Sequence, residues 1–184
     1  FIGTSVMHDA LHGAYSKKKR VNRLMGISAW LVGIDPTIWK LQHNTLHHTY
    51  TNIEGADGDI EPRYVLRFSP NQPLRWFHRY QHVYAIVLYS ISTLVWVLVK
   101  DFVKAHQYHQ KGLLRRDISF PLYIVEIVLR KASYLAIFLL APIYVLPVSA
   151  TMVIGMFIVM HLTAGFLLSL IFQPSHVIDS SEFY

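Results

Sequence analysis

Apolar residues along this 184-residue chain fall into long blocks, separated by polar stretches that carry most of its histidines. Three blocks, 84–99, 133–146 and 151–172, approach the length of a membrane span, since the hydrocarbon core takes about twenty helical residues. The third is the clearest span, and Gly155, Ala164 and Gly165 offer small surfaces for close helix packing. Pro142 and Pro147 break the second. An earlier block, 24–34, is too short to cross and ends at Asp35-Pro36. It is expected to lie at the membrane interface with Trp30 and Trp39 as anchors, so the polar stretches on its two sides stay on one face. The pattern predicts an all-α protein of multi-pass integral membrane helices beneath a cytosolic, histidine-rich cap.

Composition supports this reading. The chain is 53% hydrophobic and only 15% charged, against about a quarter charged in soluble domains. A net charge of +6 raises nucleic acid as a partner. The basic residues, however, sit in short runs beside apolar segments, as lipid headgroups and positive-inside topology require, and nucleic acid is set aside. The run Lys17-Lys18-Lys19-Arg20 reads as a solvated or headgroup-facing loop. With no cysteine, neither disulfides nor thiolate ligands are available, and any metal must be held by nitrogen and oxygen. The first residue is Phe, and no signal-peptide pattern follows. Residues 1–184 are expected to be one domain, an internal fragment truncated at both ends.

The chemistry lies in the histidines. His8 and His12 stand four apart, as do His43 and His47, and His48 adds a third imidazole to the second cluster. On a helix, His43 and His47 share a face, and His48 sits one step round, able to reach a second centre. Haem would need opposing histidines inside the bilayer. A tetrahedral zinc site closes with four ligands, fewer than the candidates here. Nitrogen ligation at this number suits two first-row ions, iron first among them if the task is oxygen chemistry. Glycines and carboxylates at 51–59 lack the spacing of a calcium loop and read as a polar loop under the site. His161 is expected to be a neutral histidine bonded across helices, His78 and His82 interfacial, and His106 and His109 surface residues. His176, read alone, is a helix-end residue. If it joins the clusters, an even number of crossings precedes it. Length and proline placement favour 84–99 and 151–172 as those crossings, whereas the basic residues of 100–131 favour the second and third blocks.

The chain resembles the membrane fatty acid desaturase family. His8-Asp9-Ala10-Leu11-His12 matches its His-x-x-x-His box, and His43-Asn44-Thr45-Leu46-His47-His48 its His-x-x-x-His-His form. His-Gly-Ala-Tyr-Ser from His12, Gln-His-Asn from Gln42 and Gln81-His82-Val83-Tyr84 are similar to the front-end and bacterial linoleoyl-CoA desaturase branch. The family's third box, Gln or His followed by x-x-His-His, has no match after His176.

The resemblance implies a fatty acid desaturase. Its two non-haem iron ions would be held by His8, His12, His43, His47, His48 and, through the family's motif after the last span, His176. Such a centre uses O2 to remove two hydrogens from an acyl chain on CoA or a lipid, with electrons from ferredoxin or cytochrome b5. Asp9, Asn44 and Asp57 are candidates to orient the ligands. Arg63, Arg67, Arg75 and Arg79 are candidates to meet phosphate at the mouth of an apolar tunnel. A related di-iron hydroxylase of the alkane or carotenoid type and a non-enzymatic metal-binding membrane receptor are the alternative readings.

Overall fold

A computed structural model describes residues 2–53, 55–58, 65–114 and 117–176, with the side chains of 2 and 174–176 outside that set. Among the described residues all regular structure is helical. Helix α1 (Ile2–His12) carries the first histidine pair. Short helices α2 (Lys19–Met25) and α3 (Ser28–Leu31) lead to α4 (Pro36–Lys40), which runs into a π-helical turn, Leu41–His47. Beyond a loop, α5 (Gln81–Val95) continues through a π-turn, Trp96–Lys100, into α6 (Asp101–Gln110). Helix α7 (Phe120–Leu135) continues through a third π-turn into α8 (Ala141–Val145), and α9 (Ala150–His176) ends the described chain.

Two helices are long and apolar enough to cross a membrane, Trp76–Gln110 and Ala150–Gln173. They contain the first and third apolar blocks, the pair that length and proline placement favoured. The second block is the apolar end of the α7–α8 rod. Helices α5 and α9 pack closely because Gly165 has no side chain: a Cβ there would stand 2.3 Å from the Ser90 carbonyl oxygen. That neighbour is backbone and cannot swing away. Gly165→Ala is therefore expected to destabilise the helix pair by about 1–3 kcal/mol, read as a lowered thermal midpoint in detergent. Gly155, which the sequence put to the same use, meets nothing within 4 Å.

His161 is buried between helices, with Nδ1 3.1 Å from the Thr93 hydroxyl and Nε2 3.2 Å from the Tyr134 hydroxyl. It ties α9 to α5 and α7, as expected of a polar group that must find partners away from water. His106 and His109 are exposed. His78 departs from the interfacial assignment: it is buried, and its Nδ1 accepts from the Arg75 backbone N–H at 3.1 Å.

The α4 entrance is where the packing concentrates charge. Asp35 caps α4, its carboxylate accepting from Thr37 N and Ile38 N at 2.9 and 3.0 Å. The same carboxylate accepts from the Tyr123 hydroxyl at 2.8 Å and pairs with Arg130. Asp35 N donates to the Asp101 carboxylate at 2.9 Å, and Lys131 pairs with Asp101 while donating to the Gly33 and Trp96 carbonyls. Burial first, then the Asp35 charge, drives the Tyr123 phenol far above its ordinary range, so it stays a donor. Gly33 makes the turn before Asp35 with φ +74°, and a Cβ there would meet Val97 at 2.5 Å.

Candidate metal centre

The second histidine stretch is a π-turn rather than a plain α-helix, and this regroups its imidazoles. Hydrogen bonds from i to i+5 widen the turn, bringing the rings of His43 and His48 to 4.7 Å between centroids, closer than His43 and His47 at 5.4 Å. His43 and His47 nonetheless share a face, their rings stacked at 18°. His43 also joins the first pair: ligand atoms of His8, His12 and His43 all lie within 4.8 Å of one another. His48 borders this group, 5.0 Å from His12, and His47 stands beside His48 at 5.4 Å. Five of the six predicted ligands are therefore gathered. His176 ends α9, but its side chain lies outside the described set.

Asn44 locks the two clusters together. Its Nδ2 donates to the Leu11 carbonyl at 3.1 Å, fixing the π-turn against the end of α1. That corrects its expected part, since the described contacts of its amide reach backbone and no histidine. Asp9 and Asp57 do touch imidazoles. Asp9 Oδ1 lies 3.0 Å from His8 Nδ1. Asp57, fully buried, lies 3.0 Å from His47 Nδ1 and also accepts from Asn52 N. A carboxylate on Nδ1 holds the proton there and leaves the lone pair on Nε2, the atom that ligates. Asp57→Asn in the full-length protein is expected to lower metal affinity by about 10–100-fold, measured by competition with a chelator.

The arrangement fits a resident metal. Nε2 of His12 is buried with no hydrogen-bond partner, a state that costs about 1–3 kcal/mol unless something accepts the lone pair. Burial first, then the neighbouring imidazoles of His8, His43 and His48, lowers its pKa to about 4, so the ring is neutral and able to ligate near neutral pH. Nε2 of His43 lies 3.3 Å from Nε2 of His8. Two nitrogens each about 2.0–2.1 Å from one ion at a tetrahedral angle stand roughly that far apart.

Trp39 is part of this centre, not a membrane anchor. One helical turn before His43, its ring lies 4.5 Å from that imidazole and 5.7 Å from both His8 and His12. Trp30 is also no free anchor, because its indole N–H donates to Arg130 O and Ser133 Oγ. The four-residue step from Trp39 to His43 was the available signal.

A cavity of about 680 Å³ opens beside the imidazoles, with His8, His43 and Trp39 on one wall and Leu88, Val95, Leu168 and Phe172 of α5 and α9 on another. That volume is within the range of ligand pockets. Lys100 and Lys104 also line it, and no motif in the sequence marks either. Arg67, proposed for phosphate, instead donates to the Gln72 and Pro70 carbonyls of its own loop. Arg79 lies over the Tyr80 ring. Arg63 lies outside the described residues.

Two membrane-length helices beside clustered imidazoles and an apolar cavity define the class: a helical membrane-type scaffold with a histidine cluster able to hold metal. Within it, residues 1–182 match the family model described as fatty acid desaturase, and the chain belongs to that family. It is 37% identical to the sn-1 linoleoyl-lipid 6-desaturase of Arthrospira platensis, across 99% of this chain and 49% of that protein. Identity is 32% to the acyl-lipid (8-3)-desaturase of Physcomitrium patens, across 99% of this chain and 38% of the other. It is 34% to the sn-1 linoleoyl-lipid 6-desaturase of Synechocystis, across 97% and 49%. The chain thus spans about half or less of the length of these curated relatives. No solved structure matches it.

Proposed function

We propose that the full-length protein containing this chain is an acyl-lipid desaturase with a histidine-held di-iron centre on the cytosolic membrane face. The observation that carries this reading is the gathering of five imidazoles, one with an orphaned buried Nε2 and two, His8 and His43, on the wall of an apolar cavity lined by the membrane-length helices. His8, His12, His43, His47, His48 and His176 are the residues of this chain that would hold the metal. Iron there would supply the O2-dependent oxidant that an unactivated methylene requires, since such a carbon offers no proton for acid–base catalysis.

The chain's own residues supply position and dryness. Leu88, Val95, Leu168 and Phe172 align an acyl chain by apolar contact and exclude water from the wall carrying His8 and His43. Asp9 and Asp57 hold protons on the Nδ1 atoms of His8 and His47, keeping both rings oriented. The names of the relatives favour a lipid-linked acyl group over acyl-CoA. Electrons are assigned to a ferredoxin or a cytochrome b5-type donor.

Expression of the full-length protein in a host fed linoleate, with gas chromatography–mass spectrometry of the lipid fatty acids, tests the proposal. A product with one added double bond is expected. A hydroxylated product would transfer the protein to the hydroxylase reading, and purified protein holding zinc without iron would transfer it to the receptor reading.

A further inference from the structure

The segment that follows His12 takes no part in the metal centre, yet it is firmly built. Asn22 accepts from Ser16 N and donates to the Gly13 and Ser16 carbonyls, each at 2.8 Å, which pins the loop and α2 to the end of α1. On this base, Lys17, Lys18, Lys19, Arg20 and Arg23 all stand exposed. Among the described residues none of these five pairs with a carboxylate. Five cations held this close repel one another unless an anionic surface faces them.

The same segment carries an apolar stripe. Leu24, Ile27 and Leu31 are 64%, 54% and 47% exposed, and their spacing of three and four places them along one helical face. Its opposite side is closed, with Gly26 and Ala29 buried. The level of the stripe is marked by Trp30, whose indole N–H bonds to Arg130 O and Ser133 Oγ of α7. There the charged residues of α7 end: Glu126, Arg130 and Lys131 precede, and 132–146 contains no charged residue. Ile137, Leu140 and Val145 beyond that point are exposed, as lipid-facing side chains are.

We propose that α2 and α3 form an in-plane anchor that seats the histidine centre on an anionic lipid surface. Leu24, Ile27 and Leu31 enter the acyl boundary, and Lys17, Lys18, Lys19, Arg20 and Arg23 hold phosphate-bearing headgroups. A cationic face beside an apolar face is what an interfacial helix requires. A soluble acidic protein would satisfy the cations but leave the stripe in water, so the lipid surface accounts for both halves. Because Asn22 fixes this anchor to the end of α1, the depth of the anchor sets the height of His8 and His12 over the bilayer. The inference rests on the membrane setting of the family and not on the reaction proposed above.

The test uses the full-length protein in nanodiscs of phosphatidylcholine alone or with about one third phosphatidylglycerol. Nitroxides are placed through Leu24→Cys, Ile27→Cys, Leu31→Cys and Arg20→Cys. The labels at 24, 27 and 31 are expected to relax more with O2 than with a water-soluble nickel chelate, and the label at 20 the reverse. Trypsin cleavage after Lys17, Lys18, Lys19 and Arg20 is expected to slow several-fold in the anionic discs and to recover at high salt. K17Q/K18Q/K19Q/R20Q should remove the lipid dependence of the depth at 27. Stripe labels reached by the nickel chelate, or shielded from both reagents by another protein segment, overturn the proposal. So does cleavage indifferent to lipid charge but slowed by a soluble acidic protein. None of these readouts uses turnover, so a failure of the desaturation test leaves them intact.

Discussion

Replacing His43 by alanine in the full-length protein is expected to abolish product formation and strip most of the bound metal. His43 occupies the middle of the cluster. Its Nε2 lies 3.3 Å from that of His8, its ring is 5.2 Å from His12 and 4.7 Å from His48, and Trp39 packs on its other side. Truncation removes one of the three atoms that approach within 4.8 Å of each other and leaves a void against Trp39. Losing a residue that merely supports a ligand costs about 10–100-fold in affinity or activity, and losing the ligand itself should exceed that. Metal per protein by mass spectrometry and new double bonds by gas chromatography give two independent readings. His106→Ala, changed on the exposed face of α6, should match the parent in both. Retention of full metal content by His43→Ala would remove His43 from the ligand set.

How the site assembles was legible in the sequence to the depth of residue identity. The four-residue steps of His8 with His12 and His43 with His47 placed the centre, and Asp57, met as a carboxylate in a polar loop, proved to be the partner of His47. What ideal helical geometry did not show was how near His48 comes to His43. The π-turn over Leu41–His47 brings the two rings to 4.7 Å, and no propensity in Gln-His-Asn-Thr-Leu announces a π-turn. Trp39 was assigned to the membrane interface because tryptophan is common there, although its step of four to His43 already placed it on the ligand face. Of the fold, the helical class and the two membrane-length helices were readable from block length. The buried charges were not. Asp35-Pro36 reads as a helix boundary, while Asp101, Arg130 and Lys131 lie some 66 to 96 residues further on, and nothing local couples them.

That coupling makes Asp35 the position where one substitution should do most damage to the fold. Asp35 is 1% exposed and accepts from two backbone N–H groups of α4, from the Tyr123 hydroxyl and from Arg130. Asp35→Ala removes an N-cap, worth about 1 kcal/mol, and strands Tyr123 and Arg130, where breaking a buried pair costs about 3–5 kcal/mol. Arg130 is partly exposed and has Glu126 at 3.4 Å as a second partner, so the lower end of that range applies. A loss of about 4 kcal/mol is expected, read as a large drop in thermal midpoint in detergent. Asp35→Asn keeps the cap acceptor and the Tyr123 bond while losing the charge, and should fall between the two. The damage also reaches the metal, because α4 runs without a break into the turn carrying His43 and His47. Among molecules that remain folded, Asp35→Ala should bind metal more weakly than the parent, whereas His106→Ala, on the exposed face of α6, should keep the parent affinity. Equal metal affinity in the two variants would mean that the charge cluster supports the fold without setting the position of the second histidine stretch.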